Sequence, residues 1–307
     1  METARSDVVV VGGSFAGMQA ALTLGRACRS VLVMDGGTPR NAPAAHVHNF
    51  YGQDAPTPPQ LRAAAQAALR EYAVDWKQDT IVAAEPAPEG TGWLVTGALG
   101  ESWAARAVVL ATGLRDELPD VPGVADLWGR DVVACPHCHG WEVRGQPLAQ
   151  LGIRGMAAKG VERAALLSRW SDDVLLFTDG DELTGDQAAR MDAAGVTVLS
   201  TPVRTLVHRG GRLEGLELQD GSTHARRAVF VVTRQHPQTD VAGRFGCKPA
   251  DDGIAVATDP AGRTSVPGVW AAGTAASPSL LAIGAAGHGA TVATLLHNDL
   301  LEQDLAG

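Results

Sequence analysis

The sequence predicts an α/β chain built on two strand-helix-strand units, each opened by a glycine-bearing turn, and three observations predict it. Val8-Val9-Val10-Val11 is a β-branched run of the kind buried on both faces of a parallel sheet. It leads through Gly12-Gly13-Ser14-Phe15-Ala16-Gly17 into a helix ending near Arg29 and a strand Val31-Leu32-Val33-Met34 that stops at Asp35. The order then repeats, with Leu148-Ala149-Gln150-Leu151, the turn Gly152 to Ala157, a helix to Trp170 and the strand Val174-Leu175-Leu176-Phe177. Two further strands, Val108-Val109-Leu110 and Val269-Trp270-Ala271, end in small residues where a ligand can approach the backbone.

In the first unit Gly12 permits the sharp turn and Gly17 lets helix and strand pack closely, while the helix start offers amides to a pyrophosphate. Asp35 stands where a carboxylate accepts hydrogen bonds from an adenosine ribose. Ser14 replaces the middle glycine of the Gly-x-Gly-x-x-Gly pattern and is small enough to leave room for a phosphate. The polar loop from Arg40 to Gly52 carries His46, His48, Asn49 and two aromatics. Thr57 and Pro58 then cap and open a helix to Tyr72. Segments at Ile81-Val82, Trp93-Leu94-Val95 and Trp103 predict a small antiparallel sheet. The irregular Leu118 to Gly123 marks a first interdomain crossing, and a second falls near Thr239 to Gly246. The second glycine turn is degraded, since Arg154 stands where a glycine would let backbone meet pyrophosphate and no arginine cluster follows Phe177 to pair with a 2′-phosphate. Beyond it the pattern predicts a helix Gly185 to Ala194, a strand at Val196 to Leu199, hairpins at Gly210-Gly211 and Asp220-Gly221, and a strand Ala228 to Val232. A final helix runs from Ala282 to Leu301 with an alanine and glycine face.

The chemistry is concentrated in Cys135-Pro136-His137-Cys138-His139-Gly140. Two thiols at this spacing can close a disulfide, and a helix start or protonated imidazole beside them favours thiolate. Haem attachment shares the Cys-x-x-Cys-His letters but needs export, and Met1 to Asp7 is no signal stretch. Zinc lacks a completing pair of ligands, and no metal site is expected. An inert buried pair fits poorly with the adjacent proline and glycine. His137 and His139 are candidate bases; His48 and His288 are weaker ones, for which surface or core roles are favoured.

The chain has 307 residues, 45% of them apolar and 19% charged, with a net charge of −9 and four cysteines. That length suffices for two cores, and no apolar run is long enough to span a bilayer. Charge without basic blocks argues against nucleic acid or a membrane as partner. Cys28 and Cys247 stand alone, so the cysteines form no secreted framework and a reducing, cytoplasmic setting is expected.

The glycine turn, the Ala111-Thr112-Gly113 strand end, the Cys-x-x-Cys, the second turn and the stretch Thr264 to Gly273 occur in the order of the low-molecular-weight thioredoxin reductases, and the chain resembles that family over essentially its whole length. The resemblance implies two Rossmann-like domains of three layers (ββα). One is a discontinuous FAD domain, 1–117 and 244–307, and the other an inserted NAD(P)-type domain, 118–243, that carries the cysteine pair. It implies a homodimer. By this likeness Gly12, Gly13, Ser14, Phe15, Ala16, Gly17, Asp35 and Gly36 hold the FAD pyrophosphate and ribose. Asn49, Ala111, Thr112, Gly113, Gly273 and Thr274 lie near the cofactor, and Cys138 is the sulfur nearer the flavin. Three residues depart from the family: Thr274 replaces an aspartate, His139 replaces an acid, and Arg154 argues against NAD(P)H. These departures resemble the dithiol oxidases that close disulfides in natural products such as gliotoxin and holomycin. The expected activity is therefore FAD-dependent oxidation of a small dithiol, with oxygen or another acceptor downstream. An NAD(P)H-driven reductase of a thioredoxin-like protein is the alternative, and a catalytically silent flavin-binding protein a lesser one.

Overall fold

A computed structural model describes residues 4–53, 55–88 and 92–306. The ends of the expected FAD domain at Met1 to Thr3 and at Gly307 lie outside the described residues. By its internal contacts the chain divides into two units. The first comprises Met1–Ala42, Pro56–Arg115 and Gln235–Gly307, and the second comprises Pro43–Ala55 and Asp116–Arg234. The strands Leu114–Glu117 and Arg234–Pro237, which carry the chain across these divisions, pair with each other.

The first unit is organised around β1 (Ala4–Val11), α1 (Phe15–Arg26) and β2 (Val31–Met34). Val8, Val9 and Val10 are fully buried, as a strand with parallel neighbours on both sides and cover on both faces requires. Val8 pairs with Val31 of β2 on one side and with Ala107 on the other. The seven-stranded sheet adds Val74–Lys77 beside β2 and Val269–Ala271 beside Ser102–Leu110, both parallel. Trp93–Gly97 and Ile81–Pro86 extend it as an antiparallel edge. The antiparallel pairing expected of the Ile81, Trp93 and Trp103 segments is found, as the edge of this larger sheet. Trp103 and the buried Val108-Val109-Leu110 form one strand of nine residues, whose alternating first half takes the hairpin while its apolar second half joins the parallel core. The helix Pro58–Leu69 has the expected threonine cap, closed by a reciprocal Thr57–Gln60 capping box. The helix Ala282–Ala306 buries Ala285, Ala286 and Gly289. Its small face has a steric reason, since a Cβ on Gly289 would strike the Ala16 carbonyl of α1.

In the second unit a five-stranded parallel sheet runs in the order Thr197–Leu199, Val174–Phe177, Leu148–Leu151, Ala228–Val231, Val132–Val133. Phe177 and Phe230 are fully buried in it. The two glycine hairpins build a three-stranded antiparallel sheet, Val203–Arg209, Arg212–Leu218 and Thr223–Ala225. Buried Asp131 ties this sheet to the rest, accepting from the Leu213 amide at 2.9 Å and pairing with Arg227 at 2.7 Å. Among the described residues no helix is long and apolar enough to cross a membrane.

Candidate active site

In the first unit the turn after β1 is shaped by glycines at which a Cβ would meet backbone atoms. Gly12 has φ +103°, and a Cβ there would collide with the Ala111 carbonyl; a Cβ on Gly17 would collide with the Gly12 carbonyl. α1 therefore starts hard against the strand ends. Its N-cap residue, Ser14, makes no side-chain cap, and no acidic side chain stands in the first turn, which leaves the helix start suited to an anion. Asp35 is buried and accepts from the Gly13 amide at 3.0 Å. Its second oxygen pairs with Arg62, whose guanidinium stacks on Trp76 at 5.3 Å. Arg62 was not among the expected residues; it reaches Asp35 from a helix whose sequence carries only a capping signal.

The other small-residue strand ends meet the same turn. Gly113 has φ +71°, and a Cβ there would lie 3.3 Å from Thr274 Oγ1, so Thr112, Gly113 and Thr274 are brought together. Gly273 has φ +68° and donates its amide to His288 Nδ1 at 3.1 Å. That bond fixes His288 as an acceptor at Nδ1 and gives it a structural part instead of the weak candidacy as base. Gly36 follows Asp35 into the loop. A tight glycine cradle, an uncapped helix start and a buried carboxylate at the neighbouring strand end suit the pyrophosphate and ribose of FAD. Asn49, with φ +57°, belongs to the loop 43–55 that groups with the second unit.

In the second unit Cys135 and Cys138 form a disulfide with Cα atoms 5.3 Å apart. Cys135 is the N-cap of the short helix Pro136–His139, so the pair begins a helix as expected, and the Cys138 amide donates to the Cys135 carbonyl at 3.2 Å. Arg163, from the helix Ala157–Leu167, donates to the Ala134 carbonyl and holds the approach to the pair. Gly140 lies so close to Pro136 and Trp170 that a Cβ would stand 2.7 Å from one and 2.8 Å from the other.

The two candidate bases fall in different surroundings. His137 is exposed and packs edge-on against Trp170, with centroids 5.8 Å apart. Both ring nitrogens of His139 are buried without a hydrogen bond. Burial pushes its pKa down from the usual histidine value and His48 adds to that, while the Cys135 backbone and Glu142 act the other way without completing a bond. His139 is thus held as the neutral imidazole, the form that accepts a proton. His48 stands edge-on to it at 6.1 Å between centroids, and its Nδ1 lies 3.4 Å from Glu142 Oε1. His46 is a further 6.0 Å from His48. These four side chains and Asp131 line one cavity of about 480 Å³. His48, for which a surface or core role was favoured, and Glu142, which the sequence did not single out, both line this cavity. Neither carries a local signal, since each matters through a contact with a residue far along the chain. Among the described residues no group of three or more histidine, cysteine or acidic side chains could hold a metal ion.

The pattern of the pyridine nucleotide-disulphide oxidoreductases matches residues 6–290. The thioredoxin reductase sirT of Leptosphaeria maculans is 32% identical, over 98% of this chain and 96% of its own length. Among solved structures, HlmI superposes with a TM-score of 0.92 at 42% identity, over 98% of this chain and 94% of its own. An oxidoreductase from Agrobacterium tumefaciens superposes with a TM-score of 0.87 at 31% identity, over 97% of this chain and 99% of its own.

Proposed function

The chain belongs to the pyridine nucleotide-disulphide oxidoreductase family, in its low-molecular-weight thioredoxin reductase-like branch, and on that footing we propose that it oxidises a small dithiol to a disulfide. The family makes it an FAD-dependent thiol-disulfide oxidoreductase; the direction of electron flow is what the proposal adds. In this reading the unit holding β1 and α1 carries FAD, and the unit holding Cys135 and Cys138 carries the exchange chemistry. The observation that bears the weight is a closed Cys135–Cys138 disulfide next to a histidine whose two ring nitrogens are buried without a hydrogen bond.

FAD, which Gly12 to Gly17, Asp35, Gly113 and Gly273 would hold, supplies when bound the two-electron acceptor that returns the cysteine pair to its disulfide. The chain's own residues do the rest. One substrate thiol gives its proton to His139 and attacks the Cys135–Cys138 bond as thiolate, forming a mixed disulfide and freeing the other cysteine. The second substrate thiol then displaces the bound cysteine. The substrate leaves as a disulfide, and its two electrons remain on Cys135 and Cys138 as thiols. An acid at position 139 would be ionised at neutral pH and too weak a base for a thiol, whereas an imidazole is matched to it.

The second reading, an NAD(P)H-driven reductase of a thioredoxin-like protein, is favoured by the name of the sirT relative. One experiment separates them. Under nitrogen a small dithiol should bleach the flavin band of the purified protein at once and NADPH should not; under air the dithiol should turn over with one peroxide formed per disulfide. Cys138→Ser should keep its FAD and lose the bleaching. Rapid bleaching by NADPH would give the case to the reductase, and bleaching of Cys138→Ser by dithiol would show that electrons enter elsewhere.

A further inference from the structure

The second glycine turn stands at the start of the helix Ala157–Leu167, where the pyrophosphate of a pyridine nucleotide would meet backbone amides. Two amides of that turn are already bonded within the chain. Gly155 donates its N–H to Asp181 Oδ2 at 2.7 Å, and the next amide, Met156, donates to the Ile153 carbonyl at 2.9 Å. Asp181 is not a loose surface acid that happens to lie nearby. Its N–H donates to the Thr178 carbonyl at 3.1 Å, its carbonyl accepts from Thr178 Oγ1 at 2.7 Å, and Thr178 is buried. The Gly180 amide donates to the Ser200 carbonyl at 2.9 Å, which pins the same turn to the neighbouring strand. Across the opening Arg154 donates Nε to the Asp179 carbonyl at 3.2 Å, and its guanidinium lies so near Gly180 that a Cβ there would be 3.2 Å from it.

The residues present therefore do not fit the nucleotide that the family is named for. We infer that Asp181 is the residue that sets this selectivity: its carboxylate is a resident anion at the Gly155 amide and excludes the pyrophosphate from the turn. Two physical effects act together. A pyrophosphate would have to displace a formed charge-assisted hydrogen bond, and it would bring like charge against a carboxylate that the Thr178 turn keeps in place. Arg154 has a secondary part, closing the turn from the other side while leaving the Gly155 bond untouched. The sequence alone points to Arg154; the contact at Gly155 moves the emphasis to Asp181.

The inference goes beyond the dithiol reading and is tested apart from it. Binding of ADP-ribose, which carries the pyrophosphate but no redox centre, is measured by calorimetry on the FAD-loaded protein. Wild type, Arg154→Gly, Asp181→Ala and the double variant are compared, and dithiol turnover is recorded for each as a separate check on the other site. Wild type and Arg154→Gly should show no binding at millimolar ligand. Asp181→Ala should bind, with affinity raised about tenfold or more above the wild-type limit, and the double variant more tightly still. All four should turn over dithiol at similar rates, which establishes that a silent variant is folded. Binding by wild type, a gain in Arg154→Gly without one in Asp181→Ala, or a silent but dithiol-active double variant would each overturn the assignment.

Discussion

Replacing Asp35 by asparagine separates the scaffold of the first glycine turn from its cofactor chemistry. The new side chain keeps an oxygen for the Gly13 amide, so that buried bond survives. What is lost is the pair with Arg62, where an amide N–H₂ would now face a guanidinium that Trp76 holds from the other side. The Asp35 side chain is 10% exposed and that of Arg62 22%. Exposed pairs contribute ~0.2–1 kcal/mol and breaking buried ones costs ~3–5 kcal/mol, so this pair, lying between, should cost about 2 kcal/mol. At about 2.1 cal/mol/K of unfolding entropy per residue, that corresponds to a melting temperature lower by about 3 °C in a protein of this size. Thermal unfolding of the FAD-stripped protein measures it, free of any contribution from the ligand. The same substitution in an Arg62→Met background should cost well under half as much, because the charge left unpaired is then absent. Titration of FAD into both variants reports separately on the ribose contact. An Asp35→Asn protein that melts with wild type, or a cost undiminished in the Arg62→Met background, would refute the argument.

Two further expectations follow from the same geometry. Gly17→Ala places a methyl against the Gly12 carbonyl, a backbone atom that cannot swing aside; overpacking of this kind costs ~1–3 kcal/mol, and the purified variant should carry substoichiometric FAD by its absorbance ratio. For pH, the folded-state pKa of His139 lies below its ordinary value of 6.5, so the unfolded chain binds more protons in the window between them and stability should rise with pH there. In dithiol turnover His139 acts as the neutral base, so the rate should fall as pH drops through that lowered pKa. His48→Ala removes a lowering influence and should move this acid limb to higher pH, whereas Glu142→Gln removes a raising one and should move it lower. Limbs that do not move in opposite directions in the pH–rate profiles would remove His139 from the role of base.

How much of this was visible in the sequence depends on the range of the interaction. The Val8 to Val11 run, the positive-φ glycines and the Thr57 cap were legible because sterics and backbone hydrogen bonding act within a few residues. The cysteine pair at a helix start was legible for the same reason: Pro136 supplies the fixed φ of a first helical residue and Cys135 the position before it. Ser102–Leu110 was half legible. Its alternating and continuous halves look like two elements, and only its three partner strands make it one.

The side chains that tune the chemistry lay beyond that range, and each was missed in the same way. Arg62 looks like an exposed helical arginine until it is found on Asp35, His48 like a loop histidine until it is found beside His139, and Asp181 like a solvated acid until it is found on Gly155. In every case the partner was identified from sequence, because a reacting or ligand-bearing group has a motif, while the group that sets its charge has none. The two glycine turns make the point in one chain. Both put a carboxylate on a turn amide, Asp35 on Gly13 and Asp181 on Gly155. Asp35 is neutralised by Arg62, whereas the arginine beside Asp181 donates to a backbone carbonyl instead. A carboxylate whose charge is balanced leaves the adjacent helix start open to a phosphate, and one whose charge stands unbalanced on the loop amide repels it, so two turns with similar glycine patterns are fitted for opposite fates.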